Sequence, residues 1–146
     1  SQNGFVFYTN LKSKKGNELK ENPKVAMCFH WKSLLRQIRI NGTVTQVADE
    51  VADKYYNSRS YESRIGAWAS KQSEELINRD QLINSIKEYK NKYNEENKVP
   101  RPSHWSGWIL SPLSSEFWLD GDNRMHERLK YTKASSGQWS KSLLSP

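Results

Sequence analysis

The sequence predicts a mainly β protein with peripheral helices (α+β), its strands joined as an antiparallel sheet or barrel. Three observations carry this. Residues 37–47, Gln37 to Val47, alternate apolar and polar with period two over an unusual length. Two further β-branched and aromatic runs, Gly4 to Asn10 and Lys24 to Trp31, stop at polar turns. The strands follow one another in meander-like order, and helical periodicity is confined to segments between them.

The elements follow in chain order. Ser13 stands before Lys14-Lys15-Gly16-Asn17-Glu18-Leu19-Lys20 as the N-cap of a short helix ending near Asn22-Pro23. Cations in a first helical turn oppose the helix dipole unless an anion docks there, so Lys14 and Lys15 are read either as solvated or as an anion site. Val25-Ala26-Met27-Cys28-Phe29 reads as a buried strand with a core thiol in a reducing compartment. Gly42 marks a bend in the long alternating strand. Asp49 is expected to cap a helix running through about Ser58, with Val51, Tyr55 and Tyr56 on its apolar side. Residues 60–73 suit a loop or short helix that exposes polar groups to a ligand. Asp80 opens a stronger helix whose stripe, Leu82, Ile83, Ile86, Tyr89 and Tyr93, is core or subunit contact. After a connector with Pro100 and Pro102, closing strands are expected at 107–110, 116–119 and 124–132, with Asp120-Gly121 as a hairpin turn.

At 146 residues the chain is the size of one domain. Only 35% of residues are hydrophobic, and 12% are aromatic, so large rings must supply a lean core. Such a core suggests apolar surface completed by a partner subunit or an aromatic ligand. No run of about 18 apolar residues exists to form a spanning helix. The net charge of +7 favours an anionic partner, such as a nucleotide cofactor or a phosphorylated metabolite. A basic barrel binding single-stranded nucleic acid is the competing class. Its lysines and arginines, however, are scattered among acidic residues rather than blocked. His30, His104 and His126 are dispersed and Cys28 is the one cysteine, which argues against metal chemistry. No phosphate loop, GxGxxG or GxSxG elbow is present.

Two clusters could carry chemistry. If Arg124-Met125-His126-Glu127-Arg128 is a strand, Arg124, His126 and Arg128 share a face, and the cationic row invites an anion. Trp118, across the expected hairpin, adds a flat wall for a planar anionic ligand. Tyr55, Arg59 and Ser63, four residues apart, can present two hydroxyls and a guanidinium to a phosphate. Gln37, Gln72 and Ser73 are polar groups able to read a heterocycle edge.

These residues, in this order, resemble the pyridoxamine 5'-phosphate oxidase family nearly end to end. The carriers are Gly4 to Asn10, Ser13-Lys14-Lys15, Asn22-Pro23, Arg36 to Gly42, Tyr55 with Ser58-Arg59, Ile65 to Ser73, Val99-Pro100, Glu116-Phe117-Trp118 and Arg124 to Arg128. The resemblance implies an FMN-binding split β-barrel, a homodimer with FMN between subunits, and oxidation of pyridoxamine or pyridoxine 5'-phosphate by dioxygen to pyridoxal 5'-phosphate and hydrogen peroxide. It implies a cytoplasmic enzyme that engages phosphorylated B6 vitamers and neither nucleic acid nor membrane. The alternative it leaves open is a non-catalytic split-barrel module holding FMN or pyridoxal phosphate. By resemblance Lys14, Lys15, Gln37, Gln72, Ser73, Trp118 and Arg128 bind the cofactor. Tyr55, Arg59 and Ser63 grip the substrate phosphate, and Arg124 and His126 act at the substrate ring as catalytic residues. Residues 1–146 are expected to be one split-barrel domain, with 107–146 carrying the dimer contact and active-site motif. Strand-like sequence starting at Phe5, and a first residue Ser1, suggest an N-terminal truncation that removes preceding family strands. The chain departs from the family pattern at Ser60 (usually Pro), Arg64 (usually Gln), Leu119-Asp120 (usually Gln-Gly), Glu127 (usually Asp) and the ending Leu143-Leu144-Ser145-Pro146 (usually basic).

Overall fold

Alternating sequence becomes strand wherever one face can be covered, and the chain divides into two compact units, each assembled from separate segments. The computed structural model describes residues 4–146, apart from the side chain of Asn97. Its strands are β1 (Phe5–Asn10), β2 (Lys24–Trp31), β3 (Arg36–Gln46), β4 (Trp105–Leu119), β5 (Glu127–Lys133) and β6 (Trp139–Leu143). Its helices are α1 (Lys14–Glu21), α2 (Asp49–Asn57), α3 (Tyr61–Ala69) and α4 (Arg79–Lys92). The sheet order is β2-β3-β4-β5-β6, and β1 also pairs with β4. No helix among the described residues is long and apolar enough to cross a membrane.

The first unit comprises residues 4–5, 22–45 and 110–146. β2 and β3 are antiparallel, from Lys24 opposite Thr43 to Trp31 opposite Arg36, and Leu35 in the left-handed region (φ 51°) turns the chain between them. Ile40, Val44 and Leu110 are its buried apolar residues. A Cβ on Gly42 would collide with the Ser111 carbonyl, so the glycine admits a neighbouring backbone. β3 runs through it unbroken.

Several expectations are corrected here. Cys28 is exposed, because the side chains half-buried on β2 are its alternate neighbours Val25, Met27 and Phe29. The two strands expected at 107–110 and 116–119 are one strand of fifteen residues that contains Pro112. β6, fully exposed and without apolar alternation, was not expected. The strand expected from Arg124 begins only at Glu127, since Asn123 and Arg124 are left-handed (φ 54° and 66°). A left-handed pair cannot continue a pleated strand.

The second unit comprises residues 6–21 and 46–109. Ser13 caps α1 as expected: its hydroxyl accepts from Gly16 N–H at 3.1 Å and donates to the Asn10 carbonyl at 2.7 Å. A Cβ on Gly16 would lie 2.5 Å from the Leu11 carbonyl oxygen, so the first turn of α1 fits against the preceding loop only with glycine there. Asp49 does not cap α2; Ala48 occupies that position, and Asp49 instead pairs with Arg101 at 2.6 Å. The buried side of α2 is Ala52 and Tyr56, whereas Val51 and Tyr55 are exposed. Residues 61–69 form α3, with Ser60 capping through Ser63 N–H. Asn78 caps α4, which starts at Arg79, one residue before the expected Asp80. The α4 stripe is half-buried at best, its Tyr89 and Tyr93 lying 5.6 and 5.3 Å from the Trp68 ring on α3.

Candidate functional site

In the second unit, aromatic stacking builds a wall before any charge is added. Tyr8 on β1 stacks on Tyr55 of α2 at 3.9 Å and on Trp105 of β4 at 5.2 Å. Burial first, and then the neighbouring Tyr55, push the Tyr8 phenol above its usual range. Arg59, in the break between α2 and α3, lays its guanidinium over Trp105 at 5.0 Å. Its Nη1 is buried with no hydrogen-bond partner among the described residues. A buried guanidinium nitrogen left unpaired costs stability unless an anion meets it.

Arg59 and Ser63 line one cavity of about 270 Å³ together with Asn10, Ser70, Gln72 and Trp105. Ser63 Oγ is held at 2.9 Å by Ser60 Oγ. Tyr55 meets Arg59 on the adjoining pocket beside Tyr8 and Trp105. Arg59 is common to both pockets, meeting Ser63 in one and Tyr55 in the other, and the break between α2 and α3 supplies the turn. Gln72 accepts the Asn10 N–H at 3.3 Å through Oε1, and its NH₂ group has no acceptor among the described residues. Ser73 adopts φ 73° and lines a separate pocket with Gln72. Lys14 and Lys15 are exposed in the first turn of α1, and neither has an ion-pair partner among the described residues.

In the first unit, a cavity of about 560 Å³ is walled by Trp31, Phe117, Trp118 and Leu129, with Gln37 and Arg128 among its polar lining. Trp118 lies opposite Arg128 in the β4–β5 register. Arg128 is no free cation: its Nε donates to Glu116 at 2.9 Å and its Nη1 to the Ser145 carbonyl at 2.8 Å. The hydrogen bond from Arg128 holds the Glu116 carboxyl below its usual range, and the carboxylate raises Arg128 in turn. The Gln37 side-chain amide has no hydrogen-bond partner among the described residues.

The common strand face expected for Arg124, His126 and Arg128 does not form. Arg124 closes a short helical turn, Asp122–Arg124, and is exposed. His126 packs its ring 4.8 Å from Trp118, and its Nδ1 lies 2.9 Å from Asp120 Oδ1. Trp105, Glu116 and Asp120 touch the candidate residues Arg59, Arg128 and His126, and sequence reasoning did not single them out. Trp105 follows a proline-rich connector and carries no periodic signal, while Glu116 and Asp120 acquire their roles only from hairpin register.

Comparison with known proteins supplies the context. A family model described as pyridoxamine 5'-phosphate oxidase matches residues 1–93. One described as pyridoxine 5'-phosphate oxidase C-terminal dimerisation region matches residues 105–146. A Pelagibacter ubique protein named pyridoxine/pyridoxamine 5'-phosphate oxidase is 70% identical over all of this chain and 70% of its own length. The protein of that name from Allorhizobium ampelinum is 51% identical over 99% of this chain and 70% of its own. Among solved structures, PhzG from Burkholderia lata in complex with tetrahydrophenazine-1-carboxylic acid matches with a TM-score of 0.91 at 30% identity, over 100% of this chain and 70% of PhzG. A pyridoxamine 5'-phosphate oxidase-related, FMN-binding protein from Nostoc punctiforme matches at 0.75 and 14% identity over 97% of this chain and 72% of its own, a likeness of fold. The expected split barrel with peripheral helices is therefore the fold. With both family models in chain order and a 70% identical relative spanning every residue, the chain belongs to the pyridoxamine 5'-phosphate oxidase family of FMN-dependent oxidoreductases.

Proposed function

We propose that this chain oxidises pyridoxamine or pyridoxine 5'-phosphate with dioxygen, yielding pyridoxal 5'-phosphate and hydrogen peroxide, as a cytoplasmic homodimer. Residues 1–146 would work as one split-barrel domain, with 107–146 carrying the subunit contact and the active-site motif. The observation that carries the substrate assignment is the Arg59 Nη1 atom, buried without a partner over Trp105 and beside the Ser63 hydroxyl. A phosphate monoester supplies the missing acceptor, and the two-pronged guanidinium suits its oxygens. Tyr55 would flank that phosphate, its ring fixed by stacking on Tyr8.

The donor set fits FMN on grounds internal to each unit. In the first unit, the unpartnered Gln37 amide suits a heterocycle edge, Trp118 supplies an apolar wall, and Arg128 is held rigid by Glu116. In the second, Lys14 and Lys15 have charges unpaired among the described residues for a phosphate, and Gln72 and Ser73 offer polar groups to a polyol chain. When bound, FMN supplies a two-electron acceptor that dioxygen reoxidises. The protein's own residues bind both phosphates, exclude water from the ring, and set Arg124 and His126 at the reacting carbon.

The test begins with a visible spectrum after FMN is added and the excess removed. A retained flavin band, with peroxide formed from pyridoxamine phosphate, is the expected result. Flavin bound without turnover would leave the chain a binding module and overturn the proposal. Arg59→Ala should raise KM about tenfold to a hundredfold, the loss of one or two charge-assisted hydrogen bonds, while the flavin band stays.

A further inference from the structure

A carboxylate oxygen and a bare imidazole nitrogen repel at hydrogen-bond distance, yet Asp120 Oδ1 and His126 Nδ1 lie 2.9 Å apart. A proton must sit between them. The Gly121 N–H also points at Nδ1, at 3.3 Å, and could donate only if Nδ1 carried no proton. The two contacts demand opposite tautomers. The shorter, charge-assisted one prevails, so Nδ1–H donates to Asp120 and Nε2 is left to act elsewhere. Nε2 has no hydrogen-bond partner among the described residues.

The surrounding loop makes this arrangement rigid. The Asp120 N–H donates to the Leu35 carbonyl at 2.9 Å, fixing the carboxylate's own backbone. Met125 N–H closes back on the Asp122 carbonyl at 3.0 Å, and a Cβ on Gly121 would collide with the Met125 carbonyl. This tight turn, through left-handed Asn123 and Arg124, returns the chain so that His126 faces Asp120. Trp118, 4.8 Å away, covers a further side of the ring.

We propose that Asp120 is the positioning residue for His126: it selects the Nδ1–H tautomer and fixes the ring so that Nε2 is presented to the substrate. This rests on the oxidase reading for His126 as a substrate contact, whereas the tautomer itself does not. Nitrogen-15 NMR of the imidazoles in the FMN-loaded protein tests it, with the His126 signals assigned by their loss in His126→Gln. The expected spectrum of the neutral ring shows protonated Nδ1. Asp120→Ala should convert it to protonated Nε2, with the Gly121 N–H then donating to Nδ1. Asp120→Asn, which keeps an oxygen acceptor, should restore the original tautomer at least in part. An unchanged tautomer in Asp120→Ala would overturn the inference. In turnover, Asp120→Ala should lower kcat/KM about tenfold, the scale of one lost charge-assisted hydrogen bond, with the flavin band retained. Full activity in His126→Gln would instead count against His126 as a substrate contact, leaving the tautomer result standing on its own.

Discussion

Tyr56 shows how one buried side chain ties stability to pH. It is fully buried, its hydroxyl donates to the Arg64 carbonyl at 3.0 Å, and burial pushes its phenol up to about 12. The unfolded chain releases this proton near the ordinary tyrosine value of about 10, whereas the folded chain holds it longer. The stabilisation is therefore complete below about pH 10 and is lost as pH rises through about 12. Tyr56→Phe should be less stable by about 1 kcal/mol at neutral pH, having lost a buried hydrogen bond, and should show a flatter decline in denaturation midpoint between those two values. An alkaline limb identical to that of the parent would exclude Tyr56 as its source. The sequence placed Tyr55 and Tyr56 together on an apolar side; only packing separates the exposed stacking ring from the buried one.

Among the elements, α1 depends on a single hydroxyl. Ser13 is fully buried and bridges the Asn10 carbonyl and the Gly16 N–H. Ser13→Ala should cost about 1–2 kcal/mol in chemical denaturation, the usual range for a lost cap, whereas Ser13→Thr, which keeps a hydroxyl that both accepts and donates, should recover part of it. Equal stability of Ser13→Ala and the parent would remove the cap from the account. This element was legible in advance because capping is local, as was β3, whose alternation reports one covered face. β6 was not: all of its residues are exposed, so no apolar period marks it, and its pairing with β5 rests on backbone hydrogen bonds. The turn at Asp122–Arg124 was equally opaque, since left-handed Asn and Arg leave no periodic trace. The resemblance named Arg128 and His126, but not Glu116 and Asp120, the partners that hold them across a hairpin whose register was not known.

For the molecule as a whole, the apolar groups left uncovered on the first unit bear on assembly. Trp31, Phe117 and Leu143 are 42%, 42% and 81% exposed, and all three line its cavity. Residues 105–146, which include Phe117 and Leu143, match the family's dimerisation region. The chain should sediment at twice its own mass. Leu143→Asp, which sets a charge on that surface, should raise the dissociation constant about tenfold or more without unfolding the chain. A parent that sediments as a single chain at micromolar concentration would refute the assembly.

Cys28 is exposed on β2 opposite Arg39, and the chain has no other cysteine. One nitroxide or fluorophore can therefore be attached at a single known address without first removing competing thiols. Two labelled copies then constitute a molecular ruler, whose one distance reports on association, and on any shift when flavin or vitamer is added, in a protein otherwise left as it is.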